Sequence, residues 1–490
     1  MSGHGTAETG GAAMTLREQL FARKPVHVLL AETEGDHGLR RVLGPVALTA
    51  LGVGCIIGAG IFVLTGLAAN QYAGPALTLS FVVAGIACTL AALCYAEFAA
   101  MVPVAGSAYT YAYATLGELV AWIIGWDLVL EYAVASSTVA HGWSHYFVSF
   151  LGIFDIVLSA RWTSSPFDYD PQLGAWVATG AVMNVPALLV VLAVTAVLVV
   201  GIRESAGFNA AMVIVKVAVV LFVIVLGAFY VDGTNWEPFL PYGVPGVFRG
   251  AAYIFFAYIG FDSVSTHAEE ARNPQRDVPI GIILSLLICT VLYILVAAVL
   301  TGMVPYHELD LDAPVAEAFA ARGLAAAQLL IAAGAVIGIT SVLLVLLLSQ
   351  ARILLALARD GLISRRFFGT VHPRFRTPHR ATILTGVLVG LVAATFPLKL
   401  LADLVNIGTL MAFVVVCAAV LVMRRTHPEV HRPFRTPFSP VVPLLGIAVN
   451  LTLMFSLGWE NWLRLGVWLV IGLVIYLAYG RTHSKLAARR

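Results

Sequence analysis

Apolar residues run along this chain in blocks of about 20, separated by short polar stretches. A helix rises about 1.5 Å per residue, so blocks of that length cross the hydrocarbon core of a bilayer. Twelve such spans are predicted, at 45–70, 76–101, 118–149, 175–200, 206–231, 248–270, 279–303, 324–352, 381–397, 401–423, 438–458 and 462–480. Between them, 313–322 ("APVAEAFAAR") predicts a short helix in the loop before the eighth span. Residues 104–115 ("VAGSAYTYAYAT") predict a short amphipathic piece before the third. The loop 151–174, with its Ser, Asp and Pro, predicts irregular structure.

Composition agrees. The 490 residues are 60% hydrophobic and 11% charged, against about 25% charged in soluble domains. The pattern excludes a soluble protein and predicts an all-α polytopic membrane protein whose partner is the lipid bilayer. The five cysteines (Cys55, Cys88, Cys94, Cys289, Cys417) fall inside apolar runs, so no disulfide framework is expected. The first 44 residues are polar, with Arg17, Arg23, Lys24, Arg40 and Arg41, and contain no apolar core of the signal-peptide kind. No cleaved leader is expected. With the N-terminus inside, 23 of the 29 basic residues fall in inner segments, and the outer loops hold Arg161, Arg249, Arg322, Lys399 and Arg464. That asymmetry places both termini in the cytoplasm and the chain in the cell membrane. A net charge of +2 says little about partners, and no nucleic-acid partner is expected.

Two spans carry glycines where a helix should be strongest. Span 1 reads "GVGCIIGAGIFVLTG" (52–66), with Gly58-Ala59-Gly60 roughly 20 Å from its start. Span 6 reads "FFAYIGFD" (255–262), with Gly260 at similar depth. Each glycine weakens a helix by about 1 kcal/mol relative to alanine. An unwound segment in lipid leaves polar backbone groups unpaired unless a cavity and its contents satisfy them. Matched interruptions in the first spans of two inverted halves point to a transporter's binding site. Half-helix N-termini attract a carboxylate and freed carbonyls accept from an ammonium, which together describe a free α-amino acid. For span 1 alone, the Gly54–Gly58 spacing also suits close helix packing.

Few ionisable residues lie deep in the spans. Lys216 sits about 10 residues into span 5, and a lysine at that depth can exchange a proton. Asp127 and Glu131 share one face of span 3 at matching depth, so Glu131 is either a charge partner or proton relay or a structural hydrogen-bonding group. Glu97 is expected to brace inner loops, and Glu269 and Glu270 sit beside Arg272 and Arg276 as an inner gate or solvated cluster. His141 and His145 stand four apart without a third ligand, so no metal is expected. Trp122, Trp143, Trp459 and Trp462 read as interfacial anchors. Ile337 and Leu410 in spans 8 and 10 are apolar pocket candidates, with Ser341 a possible neighbour of Lys216. No GxSxG elbow, redox motif or GxxxxGK[ST] loop is present, which argues against a membrane enzyme, a primary pump and any cofactor. Broken helices argue for alternating access over a channel.

The stretches 52–66, "YAEFAAMVPVAGSAYTYAYATLGE" (95–118), "IFFAYIGFDSVSTHAEEARNPQRDVPIGI" (254–282), "LARDGL" (357–362) and "DLVNIGTLMAF" (403–413) resemble the amino acid–polyamine–organocation superfamily. They are most similar to bacterial members of the cationic amino acid transporter family, over about residues 40 to 480. The resemblance implies a five-plus-five inverted repeat of the leucine-transporter kind, with helices 1 and 6 discontinuous and two extra C-terminal helices. Its parts would be a cytoplasmic tail 1–44, repeats 45–231 and 248–423, the pair 438–480 and a tail 481–490. It implies that the substrate carboxylate meets Gly58, Ala59 and Gly60 beside Ile56, and that the amino group meets carbonyls of Phe256, Ala257 and Ile259, with Phe256 as gate. It implies that Lys216 stands in for a sodium ion and couples transport to protons. The expected function is a proton-coupled amino acid symporter for small or neutral substrates. An exchanger of arginine or lysine, and a sensor sharing the fold, stay open.

Overall fold

The computed structural model describes residues 18, 20–24, 42–101, 107–170, 175–201 and 206–485. Most of the predicted N-terminal tail (with Arg17, Arg40 and Arg41), residues 104–106 of the predicted inner piece and 486–490 of the C-terminal tail lie outside the described residues. Among the described residues, eight helices are long and apolar enough to cross a membrane, and four more apolar helices are shorter. The protein is a multi-pass membrane protein.

In chain order the principal helices are α1 (Pro45–Ile56), α2 (Leu77–Met101), α3 (Ser107–Thr115), α4 (Glu118–Gly152), α5 (Val185–Val200), α6 (Ala206–Ala228) and α7 (Gly243–Ile254). There follow α8 (Pro274–Met303), α9 (Pro314–Ala321), α10 (Ala325–Asp360), α11 (His379–Thr395), α12 (Leu398–Thr426), α13 (Val441–Ser456) and α14 (Trp459–Ile475). The first predicted span becomes α1 plus a separate wound segment, Gly60–Ala76, built of π, α and 3₁₀ turns.

Two expectations are corrected. The predicted irregular loop contains a hairpin, β1 (Phe167–Asp170) paired antiparallel with β2 (Ala175–Ala178), and β2 occupies the start of the predicted fourth span. The helix begins only at Val185. There the Asn184 side chain accepts from the Ala187 N–H at 3.1 Å, a cap worth about 1 kcal/mol, and Pro186 suits the first turn. Trp122 is not an interfacial anchor. It is fully buried, stacks on Trp126 and donates to the Gly472 carbonyl at 2.8 Å, locking α4 to α14. Its indole N–H finds its partner inside the protein rather than at the lipid headgroups.

The helices wrap a core centred on the two glycine-bearing segments. α8 packs along α2 and α1, α10 along α4, α11 along α5, and α12 against α4 and α13. Outward faces are apolar: Leu189, Val225, Leu287 and Val470 are all more than half exposed. That inverted surface fits lipid rather than water.

One end of the bundle is tied by polar groups. Glu97 at the foot of α2 is 1% exposed and receives Arg424 from α12 at 2.6 Å, Arg432 at 3.4 Å and the Thr436 N–H at 2.8 Å. Nearby, Lys24 of the N-terminal segment meets Asp360 at 3.1 Å, and Tyr109 of α3 donates to the same carboxylate at 2.7 Å. Removing one partner of a buried pair costs about 3–5 kcal/mol. Glu97→Ala is therefore expected to lower unfolding stability by about 3 kcal/mol, read as a lower thermal midpoint in detergent. An unchanged midpoint would mean that this knot is dispensable.

Candidate binding site at two broken helices

The site is built from helix ends. α1 stops at Ile56, and Ile57 leaves the helix with φ −72° and ψ 103°. A helix end frees its last carbonyls, and buried carbonyls need donors. Here the donors come from three directions. The Val53 carbonyl accepts from the Ile57 N–H at 3.0 Å, that of Gly54 from Lys216 Nζ of α6 at 2.6 Å, and that of Ile56 from the Tyr293 hydroxyl of α8 at 2.8 Å. Beyond the break, a π turn over Gly60–Leu64 starts the next wound segment. Within it the Phe62 N–H already reaches the Gly58 carbonyl at 3.4 Å, across the break.

The second break mirrors the first. α7 ends at Ile254, tightens into a 3₁₀ turn over Phe255–Tyr258, and unwinds at Ile259 (φ −60°, ψ 136°). Gly260 follows at φ +116°, a conformation open to glycine and strained for other residues. α12 steadies the approach, with Asn406 Nδ2 donating to the Tyr253 carbonyl at 2.8 Å. The Tyr258 hydroxyl donates to the Phe81 carbonyl of α2 at 2.9 Å.

The two breaks abut. A Cβ on Gly60 would lie 2.3 Å from the Ala257 Cα, and one on Gly260 would lie 2.8 Å from the Cys55 carbonyl oxygen. Each segment's glycine thus makes room for the other segment's backbone. Around them Ala59 faces α4 at Gly142, where an added Cβ would sit 3.2 Å away, and Gly58 faces Val342 of α10. Phe256, Ala257 and Ile259 are buried beside them. The Phe256 carbonyl already accepts from the Ile259 N–H at 3.1 Å.

Other predicted residues fall differently. Lys216 is 1% exposed, and its stem packs against Gly338 of α10. Ser341 instead turns its hydroxyl to the Gly338 carbonyl of its own helix. Ile337 is 44% exposed on the outer face of α10, because neighbouring helix positions point about 100° apart and position 338 faces inward. It does not line the site. Leu410 is fully buried in α12.

Glu131 is not brought to Lys216. Its electrostatic neighbours are Asp262 and Asp127, while those of Lys216 are Cys55 and Cys289. Both oxygens of Asp127 and Oε2 of Glu131 have no hydrogen-bond partner among the described residues. Asp262, which the sequence reading did not single out, is 4% exposed just past Gly260 and accepts from the Tyr132 hydroxyl at 2.7 Å. Its signal was its place in "GFD", two residues after the break. Tyr293 and Asn406 carried no such signal. His141 Nδ1 lies 3.2 Å from the Ala393 carbonyl and His145 Nδ1 lies 3.1 Å from Asp312. Both histidines edge a cavity of about 880 Å³ that also reaches Leu67, Gln71 and Lys399.

The profile of the amino acid permease family matches residues 43–477, nearly all of the span-bearing chain. The chain belongs to that family. The permease is 49% identical to the branched-chain amino acid permease BcaP of Bacillus subtilis (strain 168), over 96% of this chain and 100% of the relative. It is 47% identical to the methylthioribose transporter of the same organism, over 95% and 99%. To the vacuolar cationic amino acid transporter 4 of Arabidopsis thaliana it is 34% identical, over 95% and 96%. The permease is a transporter of the amino acid permease kind, and not an enzyme.

Proposed function

We propose that the permease is a proton-coupled symporter of neutral amino acids, working by alternating access in the plasma membrane with both termini cytoplasmic. The observation that carries the reading is the 2.6 Å contact from Lys216 Nζ to the Gly54 carbonyl. It joins the one deep lysine on α6 to the frayed end of α1, next to both breaks. Gain or loss of that ammonium changes the anchoring of α1, which is how a proton can bias a two-state element.

The substrate carboxylate meets the N–H groups of Gly58, Ala59 and Gly60, and the amino group meets the carbonyls of Phe256, Ala257 and Ile259, with Phe256 closing over them. The architecture is twelve spans, as a five-plus-five inverted repeat over 45–231 and 248–423 with a pair at 438–480. Packing supports the repeat. α2–α8, α4–α10 and α5–α11 pair equivalent members, α1–α8 is answered by α7–α2, and α6–α10 by α12–α4.

Neutral substrates are favoured by the apolar neighbours Ala59, Val63, Gly142 and Val342, and by the name of the branched-chain relative. The second reading is a cationic amino acid exchanger, favoured by the unpartnered Asp127 carboxyl and Glu131 Oε2 among the described residues, with Glu131 near Asp262. Uptake of labelled leucine, alanine, arginine and methylthioribose into liposomes, sodium-free with acid outside, separates them. Accumulation of leucine or alanine that collapses with a protonophore is the expected result. Arginine flux that needs only preloaded amino acid would replace symport by exchange. Absence of any flux would leave a sensor.

A further inference from the structure

A groove of about 530 Å³ runs between the start of α8 and the loop at Pro433–Phe434. One wall is the stripe Ile280, Ile283, Leu284 and Leu287, at helical spacing on α8. Gln275 and Arg276 form its polar end. From Arg276 to Leu287 the helix rises about 16 Å. Leu284 and Leu287 are 42% and 58% exposed, so the groove opens sideways, toward lipid.

The polar end is cationic. The exposed Arg276 guanidinium has no ion pair or hydrogen bond among the described residues. The adjacent Asp277 does not neutralise it, being 3% exposed and turned to accept from the Asn273 N–H at 3.1 Å. Arg276 is the cation that lines the groove; Arg272, four residues earlier, gives one N–H to the Val42 carbonyl, and Arg435 follows Phe434 in the chain. The Val42–Arg272 contact puts this end on the side of the N-terminal segment.

We propose that the groove holds one anionic phospholipid, its phosphate at Arg276 and an acyl chain along the α8 stripe. Charge decides the class. A zwitterionic lipid would fill the apolar wall equally well but leave the cations unmatched, whereas basic pockets beside transmembrane helices select anionic headgroups. An apolar wall about 10 Å long, from Ile280 to Leu287, also gives a free phosphate nothing to match beyond Arg276. The bound lipid would brace α8, which packs along α1, against the loop whose Thr436 and Arg432 are held by Glu97. A site for membrane lipid would thus sit on the helix that carries Tyr293 to the first break.

The test uses the full-length purified protein, with native mass spectrometry and thermal unfolding in detergent. The probes are dioleoylphosphatidylglycerol, dioleoylphosphatidylcholine and glycerol phosphate. Phosphatidylglycerol should be retained and should raise the midpoint more than phosphatidylcholine, and glycerol phosphate should do neither. Arg276→Gln should weaken phosphatidylglycerol retention about five-fold, while Arg276→Lys keeps it. Leu284→Trp should block the groove and reduce retention with the charge intact. Both positions are exposed, so the midpoint in phosphatidylcholine checks the fold of each variant. Equal effects of the two lipids, full retention by Arg276→Gln, or stabilisation by glycerol phosphate would each overturn the proposal.

Discussion

Replacing Gly60 by alanine is expected to cut uptake by at least about tenfold, although only one methyl group is added. The new Cβ would lie 2.3 Å from the Ala257 Cα and 3.0 Å from its backbone nitrogen. Those are backbone atoms, so no side-chain rotation relieves the clash, and one broken segment must move away from the other. Overpacking of this kind costs about 1–3 kcal/mol. Here it acts where the two segments must hold a ligand between freed backbone groups, and small displacements there cost binding directly. Gly260→Ala should behave similarly through a second route, since φ +116° is strained for alanine and the Cys55 carbonyl is 2.8 Å away. Gly466→Ala is the control, because position 466 of α14 has nothing within 4 Å of an added Cβ. Initial rates in liposomes, normalised to folded protein, give the comparison. Wild-type uptake by Gly60→Ala would mean that the breaks are not the working site.

The glycines were legible because they break a strong rule. A membrane helix has no reason to weaken itself at mid-depth, so Gly58, Gly60 and Gly260 stood out without any structure. The apolar blocks were legible for the same reason, and most helices begin and end within a few residues of the predicted limits. What hydropathy could not read was which way a residue faces. Ile337 and Gly338 lie side by side in one apolar run, yet one faces outward and the other meets Lys216. Trp122 was misplaced because an indole suits an interface and a helix–helix seam alike. The β1–β2 hairpin was hidden because its two strands are four residues each, one in a polar loop and one at the edge of an apolar run, too short to declare a period. The pairing of Glu131 with Lys216 rested on equal depth, but depth says nothing about direction across the bundle. Tyr293 and Asn406 act through single hydroxyl and amide groups on otherwise apolar faces, which leaves no trace in a pattern.

Lys216→Met should keep substrate binding and lose the pH dependence of uptake. Methionine nearly matches the lysine stem, so the space beside Gly338 stays filled, but every donor to the Gly54 carbonyl is gone. A buried carbonyl without its donor costs about 1–3 kcal/mol, and the end of α1 loses its tie to α6. The Ile56 carbonyl keeps its bond from Tyr293, so the break itself persists. If the proton is a co-substrate, wild-type accumulation rises as the outside is made more acidic than the inside, by mass action. The variant has no titrating group at that position and should show a flat profile, with exchange of preloaded amino acid still running. Gly338→Ala gives a milder version, because its Cβ would press the Lys216 Cγ at 3.2 Å without removing the ammonium. It should lower the rate and leave the pH profile in place. The pair therefore separates chemistry from packing. A pH profile for Lys216→Met that overlays the wild type would remove Lys216 from the coupling step and leave the buried carboxyls of α4 and Asp262 as the groups to titrate next.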